Sequence, residues 1–182
     1  MTDSRTVAST RFDMSEIMTP NDANFLGKVF GGAILAQVDL CAYVTASRFA
    51  GEMCVTASFD RVDFHEPIEV GEVVSMSGVV TYVGRTSVEV TIEVYAENIY
   101  KKTRRHTNTA RVTTVAVKDG KPTPVPRLIC ETREEKIRFL EGRLRREIRA
   151  QHRAEFDRIA ERFKQASDSE IDQLMESKNL LG

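Results

Sequence analysis

The chain has 182 residues, enough for one full domain and an appendage, and a core of that size stands without disulfide or metal staples. Hydrophobic residues at 41% and charged residues at 29% set aside a disordered or membrane-embedded chain. The formal net charge of -1 argues against a nonspecific nucleic-acid binder, so an anionic ligand has to be held by a local cluster.

Three cysteines, Cys41, Cys54 and Cys130, are widely spaced, form no CxxC pair and have no histidine at metal-ligand spacing. No metal site is expected, and a reducing compartment, the cytoplasm, is the expected location. The N-terminal MTDSRTVASTRF lacks the apolar core of a secretory signal. The uncharged run Val29 to Val38 is about half of the ~20 residues that cross a bilayer, so no membrane span is expected.

No internal repeat of fixed period is visible, which sets aside solenoids and propellers. After an extended opening around Ser9–Met18, TPNDANFLGKVFGG carries turn-forming Pro20, Asn21 and Asp22 with three glycines and reads as a loop. Residues 33–48 are apolar on nearly every side of a helical wheel, with Asp39 the only charge before Arg48. Length, alanine and leucine content predict a helix here, buried all round. From Met53 to Lys118 the period switches to two: Val88, Val90, Ile92 and Val94 alternate with Ser87, Glu89, Thr91 and Glu93, the pattern of a half-buried strand. Similar strands are expected over Val55–Phe64, Glu72–Tyr82 and Arg104–Val117, punctuated by Pro67, Gly71, Gly84 and Asp119–Gly120. Such short separations suit antiparallel neighbours. One buried helix followed by one antiparallel sheet predicts an α+β domain over residues 8–126, with the sheet curled around the helix.

The PTPVP segment, Pro122–Pro126, stops regular structure and acts as a stiff linker to a helical extension, residues 127–182. There Ile137, Leu140, Leu144, Ile148, Phe156, Ile159 and Phe163 recur at three- and four-residue spacing, which predicts an amphipathic helix interrupted at Gln151–His152. Ser167-x-x-Glu170 has the form of a capping box for a short last helix. Interspersed charges, with pairs such as Glu134–Arg138 and Glu141–Arg145, favour a salt-bridged packing helix over a nucleic-acid arm. Its apolar stripe needs cover, and a subunit contact is expected because the linker lets the helix reach away from its own sheet.

Asp39 is the most informative residue. A lone carboxylate in an apolar helix is costly to keep charged, and the same desolvation favours use as a general base; a structural aspartate bonded to a backbone or hydroxyl group is the alternative. Gly31–Gly32, read as preceding the helix, lets the backbone approach a ligand and offers unpaired N–H groups at the positive end of the dipole, the makings of an oxyanion hole; taken by itself the pair is more readily an ordinary glycine turn. Asn24, in the same loop, brings a side-chain donor and acceptor, or simple turn chemistry. A nucleotide P-loop is set aside because Gly27-Lys28 is followed by Val29. His65, His106 and His152 lie far apart, off the buried helix, with no Ser or Cys nucleophile motif.

The ordered set Asn24-x-x-Gly27-x-x-x-Gly31-Gly32-x-x-x-x-x-x-Asp39 resembles the signature of hotdog acyl-CoA thioesterases, nearest to the YciA and brain acyl-CoA hydrolase group. Phe64-His-Glu-Pro67-Ile-x-Val-Gly71, Val83-Gly-Arg-Thr-Ser87, and Val115-Ala116 with Gly120-Lys-Pro122-x-x-Val125-Pro126 extend the likeness over residues 10–127. The resemblance implies a hotdog fold and hydrolysis of acyl-CoA to free acid and CoA, with CoA belonging to the substrate and no cofactor. It implies that Asp39 activates water or attacks directly, that Asn24 of the facing subunit positions water or thioester, and that N–H groups near Gly31 and Gly32 steady the oxyanion. It places Arg85, Thr86 and Ser87 near CoA, residues that also suit a hairpin turn. It implies a homo-oligomer, a dimer of hotdog subunits built into a hexamer. Lys101, Lys102, Arg104 and Arg105 form a basic cluster that CoA phosphates would suit. A hotdog dehydratase is less favoured for want of a histidine near the helix, and a non-catalytic acyl-CoA sensor is the competing class.

Overall fold

The computed structural model describes residues 3–60, 62–64, 66–177 and 179–180, so His65 lies outside the described residues. In chain order it contains β1 (Ser4–Thr6), β2 (Phe12–Ile17), α1 (Gly31–Ala50), β3 (Met53–Phe59), β4 (Val73–Val83), β5 (Ser87–Asn98), β6 (Thr103–Lys118), β7 (Lys121–Pro122), β8 (Arg127–Ile129), α2 (Arg133–Gln165) and α3 (Asp168–Glu176). The main sheet runs β2-β4-β5-β6-β3, every neighbour antiparallel, with β7 added to β6.

α1 touches each of those five strands. Five strands ~4.8 Å apart make a sheet wider than a helix of ~10 Å diameter, so contact with all of them requires the sheet to curl around α1. This is the hotdog architecture that the sequence led us to expect. The core lies between: Ile34, Val38, Cys41, Ala42, Ala46 and Phe49 of α1 meet Val74, Met76 and Val80 of β4, Val90, Ile92 and Val94 of β5, and Ala110, Val112 and Ala116 of β6. Where α1 approaches β4 most closely the strand carries Gly78; a Cβ there would stand 2.6 Å from Thr45 Oγ1 and 3.0 Å from Cys41 Sγ.

Several expected boundaries move. The helix is longer than 33–48: Phe30 is its N-cap, Gly31 and Gly32 form its first turn, and Gly51 ends it in the left-handed region at φ 71. Its burial is one-sided, because Leu40 and Tyr43 are 54% and 42% exposed in the single chain. β3 stops at Phe59 rather than Phe64. α2 runs unbroken through Gln151–His152, neither of which breaks a helix as Gly or Pro does. α3 carries the expected capping box of Ser167 and Glu170.

The chain clusters into two compact units, Met1–Gly142 and Arg143–Gly182. In the first, β8 follows the linker and pairs in parallel with β1, Arg5 opposite Leu128. The start of α2 covers the outer sheet face: the Phe139 ring lies 5.0 Å from that of Tyr82, and a Cβ at Gly142 would stand 2.8 Å from Glu89 Oε1. No described helix is long and apolar enough to cross a membrane.

Candidate functional site

Asp39 sits eight positions after Gly31 on α1, about 12 Å along the axis at ~1.5 Å per residue. It is half-buried, at the margin of the helix's inward face, and Thr56 of β3 donates its hydroxyl to Asp39 Oδ1 at 2.6 Å. Sequence reasoning missed Thr56, although a hydroxyl in a strand following a helix-borne carboxylate was a usable signal. On α1 the neighbouring Leu40 and Tyr43 are exposed and apolar, while Met53 and Val55 of β3, also exposed, alternate with Cys54 and Thr56 and so lie on the sheet face turned from α1. β3 ends the sheet, so one side of it is unpaired among the described residues. An apolar helix face beside a free edge is a surface that a second subunit would cover.

Asn24 stands in the loop before α1, and its role is narrower than expected. Its Oδ1 accepts from the N–H groups of Leu26 at 2.9 Å and Lys28 at 3.2 Å, while its own N–H donates to Lys28 O at 2.7 Å. The acceptor is thus committed to holding the turn, which passes through Gly27 at φ 72. The Nδ2 group has no acceptor among the described residues, so Asn24 offers a ligand a donor only. The loop is fixed on both sides. Asp22 Oδ2 accepts from the Thr19 hydroxyl and N–H, both at 2.7 Å, and these bonds, the hydroxyl's first, hold its carboxyl below the ordinary value. Val29 N–H donates to Ile68 O at 2.9 Å, and Lys28 Nζ meets Glu69 at 2.5 Å.

As the first residues of α1, Gly31 and Gly32 precede the point at which a helical N–H finds a carbonyl four residues back. Ala33 and Ile34 both donate to Phe30 O. Beside Gly31 opens a cavity of ≈ 340 Å³ lined by Val29, Gly31, Ile34, Phe64, Glu66, Pro67 and Ile68. The ring of Phe64 lies 3.5 Å from where a Gly31 Cβ would be, so any larger residue narrows this space.

Within one chain no described hydrogen bond joins Asn24 to Asp39; the loop and helix start form one group, Asp39 and Thr56 another. Arg85 and Thr86 lie in the β4–β5 turn and Ser87 opens β5. Their main chain is fixed, with Arg85 O accepting from Val125 and Thr86 O from Ala116, while the exposed Arg85 guanidinium has no partner among the described residues. The basic cluster is divided. Arg105 is bound to Glu72, Glu66 and Pro67 O and is a structural clamp, and Arg104 lies 4.3 Å over the Tyr95 ring. His106 bonds Glu93 at 2.7 Å, away from α1. No group of three or more potential metal ligands occurs among the described residues.

A thioesterase superfamily model matches residues 26–103. Protein VdlD of Helicobacter pylori is 41% identical over 141 residues, covering 78% of this chain and 80% of its own. Among solved structures, an apo-hexameric acyl-CoA thioesterase is 38% identical with a TM-score of 0.79, covering 84% of this chain and 98% of that one. An acyl-CoA hydrolase from Staphylococcus aureus, solved with butyryl coenzyme A, coenzyme A and coenzyme A disulfide, is 30% identical at a TM-score of 0.77, over 88% of this chain and 99% of that one. Alanine variants of that hydrolase at an asparagine, an aspartate and a threonine have also been solved. Those three positions have the same sequence spacing as Asn24, Asp39 and Thr56.

Proposed function

The chain belongs to the thioesterase superfamily, and from that premise we propose that it is an enzyme that hydrolyses acyl-CoA to a free carboxylic acid and CoA. The observation that carries this reading is the half-open carboxylate of Asp39, one oxygen held by Thr56 and set in an apolar surface beside a free sheet edge. The matching spacing of the residues varied in the Staphylococcus aureus hydrolase supports it.

Asn24 and Gly31 stand at one end of α1 and Asp39 about 12 Å along it. Two subunits whose α1 helices run antiparallel through Leu40 and Tyr43 bring the helix start of one to Asp39 of the other. Asp39 then takes a proton from water as the water attacks the thioester carbon, or attacks that carbon itself to form a mixed anhydride that water then cleaves, releasing the acid and supplying the proton. Asn24 Nδ2 of the facing subunit donates to the water or the thioester oxygen, and N–H groups at Gly31 and Gly32 receive the negative charge that develops on that oxygen. The C–S bond breaks, CoA leaves as thiolate, and the proton returns to it. Arg85, Thr86 and Ser87 lie on the CoA side. This chemistry calls for no metal or redox cofactor, and neither nucleic acid nor membrane is a partner.

The catalytic domain is residues 8–126, with 127–182 as its helical extension. The dimer uses the open face of α1 and the edge of β3, and dimers assemble further into a hexamer, the state named for one neighbour. Three free cysteines, two of them buried, suit a cytoplasmic location. Release of free thiol from acyl-CoA, followed with a thiol reagent, tests the activity. Release that Asp39→Asn abolishes supports the enzyme; binding of acyl-CoA without release assigns a non-catalytic sensor instead.

A further inference from the structure

The second compact unit, Arg143–Gly182, carries an arrangement that catalysis does not call for. Here the end of α2 and α3 lie side by side, lining one groove with Arg158 and Arg162 from the first and Leu174 from the second. Ile159 is buried, and Phe163, Ile171 and Leu174 are half-buried, so the far end of the apolar stripe is covered within the chain. Its middle is not. Leu144, Ile148 and Phe156 are 54%, 38% and 71% exposed. Ile148, His152 and Phe156 stand four residues apart on one ridge of the helix, the kind of ridge that interdigitates with its like when two helices cross.

The charges divide at the same place. From Arg143 to Arg153 there are five arginines and one glutamate; from Glu155 to Glu176 there are seven carboxylates and three cations. Local pairs such as Arg143–Glu147 at 2.9 Å and Arg158–Glu155 at 2.7 Å are exposed and weigh little. They leave two halves of opposite sign.

We propose that this face is a self-association surface for a second copy of the chain. The two α2 helices cross antiparallel about a twofold axis at His152, with Ile148 of each against Phe156 of the other and each arginine-rich half on the acidic half of its mate. A twofold contact uses the same patch on both copies, residue i meeting j and j meeting i. Two halves of opposite sign satisfy that condition only head to tail; a parallel pair sets arginine on arginine. A nucleic acid would be attracted by one half and repelled by the other. The contact uses neither α1 nor β3, so it stands or falls separately from the catalytic reading.

Cross-linking of the full chain tests it. In a Cys130→Ser background, where the remaining cysteines are buried, His152→Cys brings one thiol from each copy to the axis, and diamide converts the pair to a disulfide-linked dimer. Adding Arg146→Glu and Arg149→Glu, or adding Glu155→Arg and Glu161→Arg, lowers the linked fraction several-fold while thiol release per chain is unchanged. Mixing the two charge variants before oxidation restores linking, because the glutamates introduced in one chain then face the arginines introduced in the other. Failure of the His152→Cys chain to link, linking indifferent to charge reversal, or a mixture that stays unlinked overturns the proposal.

Discussion

Glu72 and Asp39 are carboxylates at the margin of the same core, held in opposite ways. The Glu72 side chain is 4% exposed, and both its oxygens accept from Arg105, at 2.8 and 2.7 Å. The N–H of Glu69 adds a third bond at 3.0 Å. Arg105 reaches on to Glu66 at 3.0 Å and to Pro67 O at 2.8 Å, so this knot ties the segment before β4 to β6. Asp39 has one hydroxyl on one oxygen, no cation bonded to it among the described residues, and an open apolar surface at its side. A carboxylate with both oxygens answered is a fastener; one left half-answered beside an interface keeps an oxygen for chemistry. The comparison explains why the basic residue in the expected CoA cluster that lies nearest the core, Arg105, is structural.

The contrast breaks most sharply at Asp39. Asp39→Asn keeps shape and the Thr56 contact but removes the base, and turnover is expected to fall ~100- to 10,000-fold with the fold intact by circular dichroism. Near-normal thiol release from this variant would place the chemistry elsewhere.

At the other carboxylate, Arg105→Met leaves Glu72 buried without its cation. The cost is expected at ~3 kcal/mol of stability, read by denaturant unfolding, with the activity of the folded fraction retained. Because the bonds from Arg105 hold the Glu72 carboxyl below its ordinary value of 4.5, the native state binds this proton less readily than the unfolded chain. That stabilisation is full above the unfolded value and is lost as pH falls through the lowered native one. Unfolding free energies measured across that range should fall less steeply in Arg105→Met than in the parent; equal slopes would deny Glu72 this part.

Gly78→Ala sets a methyl group against Thr45 and Cys41 and shifts the helix that carries Asp39, at an expected cost of ~1–3 kcal/mol. Calorimetry reads the loss, and an unchanged midpoint would mean that α1 has room to yield. The smallest effect is at Thr56. Thr56→Ala removes one charge-assisted hydrogen bond, about tenfold in turnover at ~1.4 kcal/mol, while Thr56→Ser restores most of it.

The sequence made the architecture legible because alternation in β5 and the apolar run of α1 are local patterns with distinct periods. It misplaced the start of α1 because Gly31 and Gly32 read as turn residues, whereas a helix's first turn lacks internal N–H partners and tolerates glycine there. It extended β3 to Phe64 because nothing local announces that Arg105, more than thirty positions away, engages the following segment through Glu66 and Pro67 O. Asp39 stood out as the one carboxylate in an apolar helix. Thr56 did not, since its meaning depends on β3 lying beside α1. The commitment of Asn24 Oδ1 to its own turn is likewise a matter of three-dimensional closure. In α2 the spacing gave the stripe, but the fold-back of α3 over its far end required the structure.

The account stands most directly on the shared site, and mixing two inactive proteins measures it. In a mixed dimer of Asn24→Ala and Asp39→Asn chains, one site collects both lesions and the other collects none. Random exchange makes half the dimers mixed, with one of two sites intact in each, so about a quarter of the parent activity is expected back. Mixed dimers that form, as shown by an affinity tag on one chain, yet release thiol no faster than either variant alone would contradict it.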